Sequence, residues 1–429
     1  MTARSKARVI DGRLADAAFL AEPRLQRLLE VINADGEETR VVGGAIRNAL
    51  LGEPVADVDL ATTASPELVA SRCVRAGLRT IPTGIEHGTV SVLVDGVQYE
   101  ITTLREDIDT DGRRATVRFG RDFHADALRR DFTINALSVD REGRLYDYVG
   151  GLDDIAHSRV RFIGDARQRI REDYLRVLRL FRFHAAYGDG AIDAEAFNAA
   201  VLERSGLSRL SRERVQAEIM KLLVARHAAG VVADMTHAGL LGPLVAGIVV
   251  PARLAAYIAT ETARNLEPDV LMRLAAACVL IPEDAARLRD MLRLSNLQET
   301  RLARAAGALG KLHGRTLPPP HGELVFFLYE QERRAALDGL LLAQAESGCD
   351  PANERAWASA YAFLRDTPEQ RLPVSGADIM ARGLDSGPAI GAVLKSLQAM
   401  WIRAGFPKDP ELLAKLVDDA LNAHRPRQS

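Results

Sequence analysis

The sequence predicts an α+β protein in two parts, an α/β head followed by a long all-α region. Within the first 150 residues, short runs rich in β-branched residues alternate with glycine turns. From about Asp165 onward, apolar residues follow helical spacing almost without strand-like runs. The length of 429 residues also exceeds that of a typical domain of about 150 residues, so more than one domain is expected.

Three strands are predicted in the head, at residues 89–93, 98–104 and 133–139. The glycine turns Asp95-Gly96 and Glu142-Gly143 separate runs of this kind, and such turns are typical of hairpins. The glycine pair and acidic residues at 146–154 then predict a turn that ends the head.

The helical region is interrupted twice by proline, at residues 317–320 and at residues 371–373. These interruptions predict that the helical region after the head consists of several pieces.

Composition limits the classes of function. No window approaches the roughly 18 uninterrupted apolar residues of a membrane span, so no membrane partner is expected. Three cysteines without metal-ligand spacing (Cys73, Cys278, Cys349) and the lack of an export signal at the N-terminus favour a reducing cytoplasm. A net charge of -2 argues against a protein coated with positive charge, but residues 159–226 carry fourteen Lys or Arg against nine Asp or Glu. That stretch either contacts phosphates or forms a solvated helix face.

Two aspartates one residue apart point to a metal site in the head. If residues 55–61 form a strand, Asp57 and Asp59 face the same side with Cα atoms about 6.5 to 7 Å apart. Paired carboxylates suit Mg²⁺, and such a site can serve phosphoryl transfer. The alternative is that the two aspartates lie in a turn and have no functional role.

The glycines upstream favour the functional interpretation. An apolar run leads into Gly43-Gly44, and a helix carrying Arg47 follows. Backbone N–H groups at such a helix start, together with a guanidinium, suit a triphosphate. A third carboxylate, Glu100, lies on a predicted strand and could complete the site by binding metal or orienting a 3′-hydroxyl; alone, it would be a solvated strand residue.

Six motifs in order then carry a resemblance to a family: GGAIRN, DVDLAT, YEITTLR, RRDFTINAL, YDYVGGLDD and REDYLRVLRLFRF. Over roughly residues 38–225 the chain resembles bacterial class II tRNA nucleotidyltransferases, the CCA-adding enzymes that are grouped with bacterial poly(A) polymerases. The resemblance implies a four-part division: a polymerase-beta-like nucleotidyltransferase head at 1–150, followed by an α-helical neck at 151–230, body at 231–330 and tail at 331–429. It also implies Mg²⁺ at Asp57 and Asp59, and CTP, ATP and the tRNA 3′ end as substrates.

The resemblance assigns further residues to the nucleotide: Gly43, Gly44, Arg47, Arg130, Asp131, Asn135, Asp173, Arg176, Arg179 and Arg182. The segment with Arg130, Asp131 and Asn135 could instead be a salt-bridged, capped element. One residue departs from the family pattern, because Asn48 stands where an aspartate is usual, and a salt bridge to Arg47 is thereby lost.

The neck suggests how side chains could choose bases. A helix is predicted from Glu172, which places Asp173 and Arg176 three apart on one face. Cytosine and adenine both present an amino donor beside a ring-nitrogen acceptor, so a carboxylate and a guanidinium fit both and leave unpaired groups against uracil and guanine. The alternative is a plain ion pair on an exposed helix. Farther on, Arg214 and Glu218 predict an i, i+4 pair that supports the structure.

Two rival functions remain at this stage. A poly(A) polymerase shares these motifs, but the strand after the aspartates lacks the basic run those enzymes tend to carry. The loop at 105–122 resembles the flexible loop of enzymes that add the complete CCA. An RNA-binding protein without catalysis would show loss of the carboxylates, and all three are present. Residues 375–406 resemble the family's tail, which implies contacts with the tRNA acceptor stem and elbow.

Overall fold

The computed structural model describes residues 7–81, 88–111, 114–348, 351–384 and 387–424. At residues 106–111, 114–118 and 351–352 it describes the backbone and not the side chains. Two compact units are present, residues 1–252 with 290–294, and residues 253–289 with 295–429. The predicted division into four parts is finer than this partition and stays a prediction. No helix among these described residues is long and apolar enough to cross a membrane.

The head is built on an eight-stranded sheet with the order β1-β10-β9-β2-β3-β6-β5-β4, beside a separate β7-β8 hairpin. Only β3 and β6 run parallel to each other. The strands are β1 (Arg8–Ile10), β2 (Thr39–Val42), β3 (Asp59–Thr62), β4 (Arg79–Ile81), β5 (Thr89–Val94), β6 (Val97–Thr103), β7 (Arg105–Asp111), β8 (Arg114–Phe119), β9 (Ser138–Val139) and β10 (Leu145–Asp147).

The first unit contains eleven α-helices within its described residues. Those up to residue 156 are α1 (Pro23–Ile32), α2 (Gly44–Leu51), α3 (Pro66–Arg75), α4 (Phe123–Arg129) and α5 (Gly151–Ala156). The helices that follow are α6 (Ala166–Glu172), α7 (Leu175–Tyr187), α8 (Ala194–Leu202), α9 (Arg212–Leu223), α10 (Ala228–His237) and α11 (Gly242–Val245). Leu25, Leu28 and Leu29 of α1 are fully buried in the head core, where α1 packs on α3 and β2.

The second unit is helical throughout its described residues, as the periodicity predicts. Its helices are α12 (Pro251–Ala263), α13 (Val270–Cys278), α14 (Glu283–Leu292), α15 (Asn296–Leu312), α16 (His321–Gln331), α17 (Arg333–Glu346), α18 (Pro351–Asp366), α19 (Gly376–Met380), α20 (Pro388–Arg403) and α21 (Pro410–His424). The first two residues of α12 and the last three of α14 belong to the first unit. Both predicted proline interruptions are confirmed, one between α15 and α16 and the other between α18 and α19.

Two predicted strands differ from the structure. The strand predicted at 55–61 begins only at Asp59, because its partner β2 ends at Val42, which pairs with Asp59, and the chain then turns away at Gly43. The strand predicted at 133–139 is a 3₁₀ turn, Thr133–Asn135, followed by the two residues of β9. There the Asn135 and Ala136 N–H groups donate back to the Phe132 and Thr133 carbonyls (3.0 and 3.1 Å), and the Thr133 hydroxyl donates to buried Asp154 Oδ2 (2.6 Å), so these groups bond within a turn and across to α5 instead of along a strand ladder.

The helix predicted from Glu172 also begins later. Asp173 is extended (φ -153°, ψ 107°) and separates α6 from α7, which starts at Leu175. Its Oδ1 accepts a hydrogen bond from the Leu175 backbone N–H (3.1 Å), as a carboxylate does at a helix start. Asp173 therefore lies in a joint between two helices and not on a helix face.

Candidate active site

Three neighbouring strands bring the glycine turn and two carboxylates together. Val42, the last residue before Gly43, is opposite Asp59, and Asp59 is opposite Glu100 in the parallel register of β3 and β6. Asp57 lies two residues before β3, in a segment without regular structure, so its predicted place on the strand is wrong. The sheet nevertheless places Asp59 and Glu100 side by side, next to the start of α2.

The acidic groups at this edge repel one another. The pKa of Asp59 is raised above the ordinary 3.8, mainly because protein atoms crowd this otherwise accessible carboxylate, and further because Glu100 and Asp57 are negatively charged; Arg130 opposes the shift. No group of three His, Cys, Asp or Glu side chains within the described part of the chain is arranged to hold a metal ion. The chemistry of Asp57, Asp59 and Glu100 still fits a hard divalent cation, because such a cation prefers carboxylate oxygens and would relieve their repulsion.

Gly43 makes the turn into α2 and needs to be glycine. Its backbone has φ 75° and ψ -126°, and a Cβ there would lie 3.3 Å from Arg130 Nη1. Arg130 in turn is held by buried Asp126, to which Nε and Nη2 donate at 3.1 and 3.0 Å. The turn and Arg130 thus pack together, and the assignment of both to the nucleotide stays a prediction.

Arg47 lies beneath this turn and is only 6% exposed. Its donors are taken by neutral acceptors: Asn48 Oδ1 (Nε 3.2 Å, Nη2 2.9 Å), Asn135 Oδ1 (Nη1 2.5 Å) and the Tyr187 hydroxyl (Nη2 2.9 Å). Burial is the main reason that the pKa of the Arg47 guanidinium is lowered. Direct contact of Arg47 with phosphate stays a prediction, and the structure shows that Nε, Nη1 and Nη2 each donate to a neutral side chain.

Asp131, Asn135 and Arg179 form a second cluster. Arg179 Nε donates to Asp131 Oδ2 (2.6 Å), while Asp131 Oδ1 accepts from the Asn135 amide (3.3 Å) and the Phe132 N–H (2.9 Å). Asn135 also accepts from Arg47, so it joins this cluster to the glycine turn. Of the predicted nucleotide residues, these bonds join Arg47, Asp131, Asn135 and Arg179.

The two residues predicted to select bases do not pair with each other. Asp173 Oδ2 accepts from Arg214 Nη2 at 2.6 Å. Arg176 Nη1 instead donates to Glu172 Oε2 (2.5 Å) and to the Arg169 carbonyl (2.8 Å). The alternative of a local Asp173–Arg176 ion pair is thus wrong, because the extended joint turns Asp173 toward α9 while Arg176 lies on α7.

The predicted Arg214–Glu218 pair is also wrong. Glu218 accepts from Arg182 and lies 3.8 Å from Arg179 Nη1, because α9 packs along α7 and presents Glu218 to its arginines. Arg214 meets Asp173 across the same helix pair. Both members are bonded, but to partners on other elements.

Sequence reasoning missed three residues of this region. Arg169 donates through Nη2 to the Arg129 carbonyl (2.6 Å) and also to that of Arg130, which ties α6 to the head. The Arg182 guanidinium carbon lies 3.9 Å from the centroid of the Phe183 ring, and the Arg47 guanidinium carbon lies 4.0 Å from the centroid of the Tyr187 ring. The spacing of Phe183 and Tyr187, four residues apart on α7, is a signal that could have identified them.

Cys349, residues 112–113 of the loop predicted at 105–122, and the loop's side chains from 106 to 118 lie outside what the structure describes.

A mixed sheet with carboxylates beside a glycine turn, joined to a helical neck rich in arginine, defines a nucleotidyltransferase of the polymerase-beta-like kind. The model of the Poly A polymerase head domain matches residues 39–161, and that of the probable RNA and SrmB- binding site of polymerase A matches residues 191–249. Both matches agree with the order of head and neck seen here.

Relatives match along nearly the whole chain. The mitochondrial CCA tRNA nucleotidyltransferase 1 of Mus musculus is 33% identical over 92% of this chain and 89% of its own length. A CCA-adding enzyme of Limosilactobacillus fermentum is 32% identical over 94% and 97%. The chain belongs to the family of CCA tRNA nucleotidyltransferases, the CCA-adding enzymes, and the predicted family and head fold are confirmed.

Solved structures agree with this. The Bacillus stearothermophilus CCA-adding enzyme in complex with CTP superimposes with a TM-score of 0.70 at 26% identity, covering 93% of this chain and 98% of that one. The Thermotoga maritima enzyme complexed with tRNA has a TM-score of 0.68 at 19% identity, over 97% and 99%, and supports the fold.

Proposed function

We propose that this protein adds CCA to the 3′ end of tRNA from CTP and ATP, without a nucleic-acid template. One observation carries the proposal: the register of β2, β3 and β6 places Asp59 and Glu100 together beside the glycine turn that starts α2. A carboxylate pair and a helix start in this arrangement can serve both partners of a nucleotidyl transfer, the 3′-hydroxyl and the triphosphate. The full-length relatives that share the family give the substrates.

Asp57 and Asp59 are the residues that would hold Mg²⁺, which when bound neutralises phosphate charge and favours ionisation of the attacking hydroxyl. Glu100 orients the 3′-hydroxyl or completes the carboxylate set. The Gly43 N–H donates to the Leu137 carbonyl (3.3 Å), so Gly43 shapes the turn, and the donors for a phosphate are the N–H groups of the first turn of α2, beginning at Gly44, where the helix dipole also favours negative charge. The buried guanidinium of Arg47 on α2 adds positive charge that favours the triphosphate.

The remaining assigned residues come from both the head and the neck. Arg179 and Arg182 provide guanidinium groups for phosphate or ribose, while Asp131 and Asn135 hold Arg179 and Arg47 in place. Arg130 packs against Gly43 and is within reach of the same phosphates.

Base choice rests on Asp173 and Arg176. In the absence of a base, each is bonded to a protein group of opposite charge, Arg214 and Glu172 respectively. A cytosine or adenine offers the same complement, with an amino donor for the carboxylate and a ring nitrogen for the guanidinium. Exchange of protein partners for the base therefore costs little for C and A, whereas U and G leave both groups unsatisfied.

The tRNA itself is held by the helical body and tail, through shape and phosphate contacts at the acceptor stem and elbow. We also propose that the protein works in the cytoplasm, because the sequence has few cysteines and those described, Cys73 and Cys278, are free and buried.

The test is incorporation of one labelled nucleotide at a time into tRNA that ends before CCA, after one C and after two C. We expect CTP to label the first two substrates and ATP the third, with little from UTP or GTP. Long A tracts on any RNA would instead establish a poly(A) polymerase, and failure to label at all while tRNA binds would establish a non-catalytic RNA-binding protein.

A further inference from the structure

The position of Asp173 depends on more than its own bonds. Its carboxylate contacts Leu175 N–H and Arg214 and its carbonyl accepts from the Arg176 N–H (3.0 Å), while its backbone is extended between the two helices. A joint of this kind keeps its geometry only if the adjacent residues are fixed. The next residue, Tyr174, is fixed in an unusual way.

The ring of Tyr174 packs closely against Gly206. A Cβ built on Gly206 would fall 1.9 Å from Tyr174 Cδ1 and 2.0 Å from Cε1, a distance at which atoms overlap. Gly206 is buried and its φ lies outside the left-handed region, so an L side chain is excluded by the ring and not by the backbone. Glycine is required here for close approach.

Gly206 belongs to a short 3₁₀ segment, Arg204–Arg209, which follows α8. The residue just before this segment, Glu203, is 8% exposed and accepts from Arg171 (Nε 2.9 Å) and from Arg167, both on α6. This part of the chain therefore contacts both sides of the extended residue Asp173: Glu203 bonds α6, and Gly206 packs against Tyr174.

We propose that Gly206 is a positioning residue for base selection: by receiving the Tyr174 ring it sets the place of the Asp173 carboxylate. This inference rests on the proposed function, in which Asp173 accepts from the base. A side chain at position 206 displaces the ring and, with it, the adjoining residue. Because shifts of about 1 Å can cost up to about 100-fold in a reaction that depends on orientation, the effect should be large.

The experiment compares Gly206→Ala with Gly230→Ala in the full chain. Gly230, on α10, has open space within 4 Å of its Cβ position and no positive φ, so it controls for the same chemical change. The readout is kcat/KM for CTP and ATP relative to UTP and GTP. We expect the ratio to fall about 10- to 100-fold in Gly206→Ala and to stay unchanged in Gly230→Ala.

A double-mutant cycle tests the steric route. In a Tyr174→Ala background the added methyl meets no ring, so Gly206→Ala should cause no further loss of discrimination. An equal loss in both backgrounds would overturn the proposal. So would a Gly206→Ala enzyme with lower thermal stability but normal ratios, since that outcome is a structural effect alone.

A second variant covers the case in which Gly206→Ala does not fold. Glu203→Gln keeps the shape of the side chain that bonds α6 but removes its charge, and Glu213→Gln, at an exposed position on α9, is the matched control. We expect reduced nucleotide discrimination only in Glu203→Gln, and unchanged kcat/KM ratios in that variant would refute the role of this contact in positioning Asp173. Asp173→Ala in the same assay separates the two levels: if it also leaves the ratios intact, the base-reading function of Asp173 fails, whereas if it alone changes them, only the positioning role fails.

Discussion

Asp173→Ala is the most informative single substitution, because the structure gives its carboxylate a structural role as well as a proposed functional one. Structurally, the carboxylate bonds the Leu175 N–H at 3.1 Å and Arg214 at 2.6 Å. Loss of the first, a bond at a helix start, should cost about 1 kcal/mol. The ion pair joins side chains that are 28% and 41% exposed, so its loss should add at most about 1 kcal/mol.

The functional role predicts a separate effect. If the carboxylate accepts from the amino group of C or A, its removal relaxes the rejection of U and G by about 1 to 3 kcal/mol. That corresponds to a fall of about 5- to 150-fold in the ratio of kcat/KM for CTP over UTP and for ATP over GTP. Steady-state incorporation into tRNA ending before CCA, with each nucleotide alone, measures these ratios.

Asp165→Ala is the matched control in the same neck. Asp165 Oδ1 accepts from the Gln168 N–H (2.7 Å) at the start of α6, so the substitution also removes a capping carboxylate. We expect a similar loss of unfolding free energy, about 1 kcal/mol, and unchanged nucleotide ratios. The reasoning is refuted if Asp173→Ala slows all four nucleotides equally, as would a residue that only caps α7 and pairs with Arg214.

Three further outcomes are expected. Asp59→Asn should abolish transfer yet raise the free energy of unfolding in metal-free buffer at pH 7, because the raised pKa of Asp59 means that folding disfavours its charge. This gain in stability should vanish as the pH falls through that pKa to below 3.8, and a variant less stable than the parent at pH 7 would contradict the prediction. Asn48→Asp should strengthen two hydrogen bonds from Arg47 and lose the one from Asn48 Nδ2 to the Pro54 carbonyl (2.9 Å), so that chemical denaturation shows a net gain of about 1 kcal/mol in unfolding free energy. KM for both nucleotides should rise because the carboxylate neutralises Arg47, and an unchanged KM would show that the charge of Arg47 does not reach the triphosphate. Lys415→Glu, at an exposed position on α21, should weaken tRNA binding at low salt with near-normal kcat, and the difference should shrink as salt rises; a salt-independent defect would exclude a phosphate contact.

The sequence was a good guide wherever a pattern is local. Glycine turns, proline interruptions and helical spacing are set by neighbouring residues, and the hairpin at Asp95-Gly96 and the interruption before α16 appear where they were predicted. It was a poor guide where strand ends depend on a partner. Residues 55–58 have a strand-like sequence, but β2 offers no partner beyond Val42, so Asp57 lies outside the ladder.

The site shows the same contrast. The carboxylates and the glycine pair could be identified from residue type and spacing, and β3 and β6 do bring Asp59 and Glu100 into register. The pairing of charges could not. Helical spacing predicted Asp173 with Arg176 and Arg214 with Glu218, whereas the structure pairs Asp173 with Arg214 and Glu218 with Arg182.

By itself, the sequence determined the family, the order of an α+β head and a helical remainder, and the residue types that make a nucleotidyl-transfer site. Only the tertiary structure decided which charges meet, that Arg47 is buried among neutral acceptors, and that Tyr174 requires a glycine at position 206. The physical reason is distance along the chain. Turns and helices are stabilised within a few residues, but Asp173 and Arg214 are 41 residues apart, and only the packing of α9 along α7 brings them within a hydrogen bond.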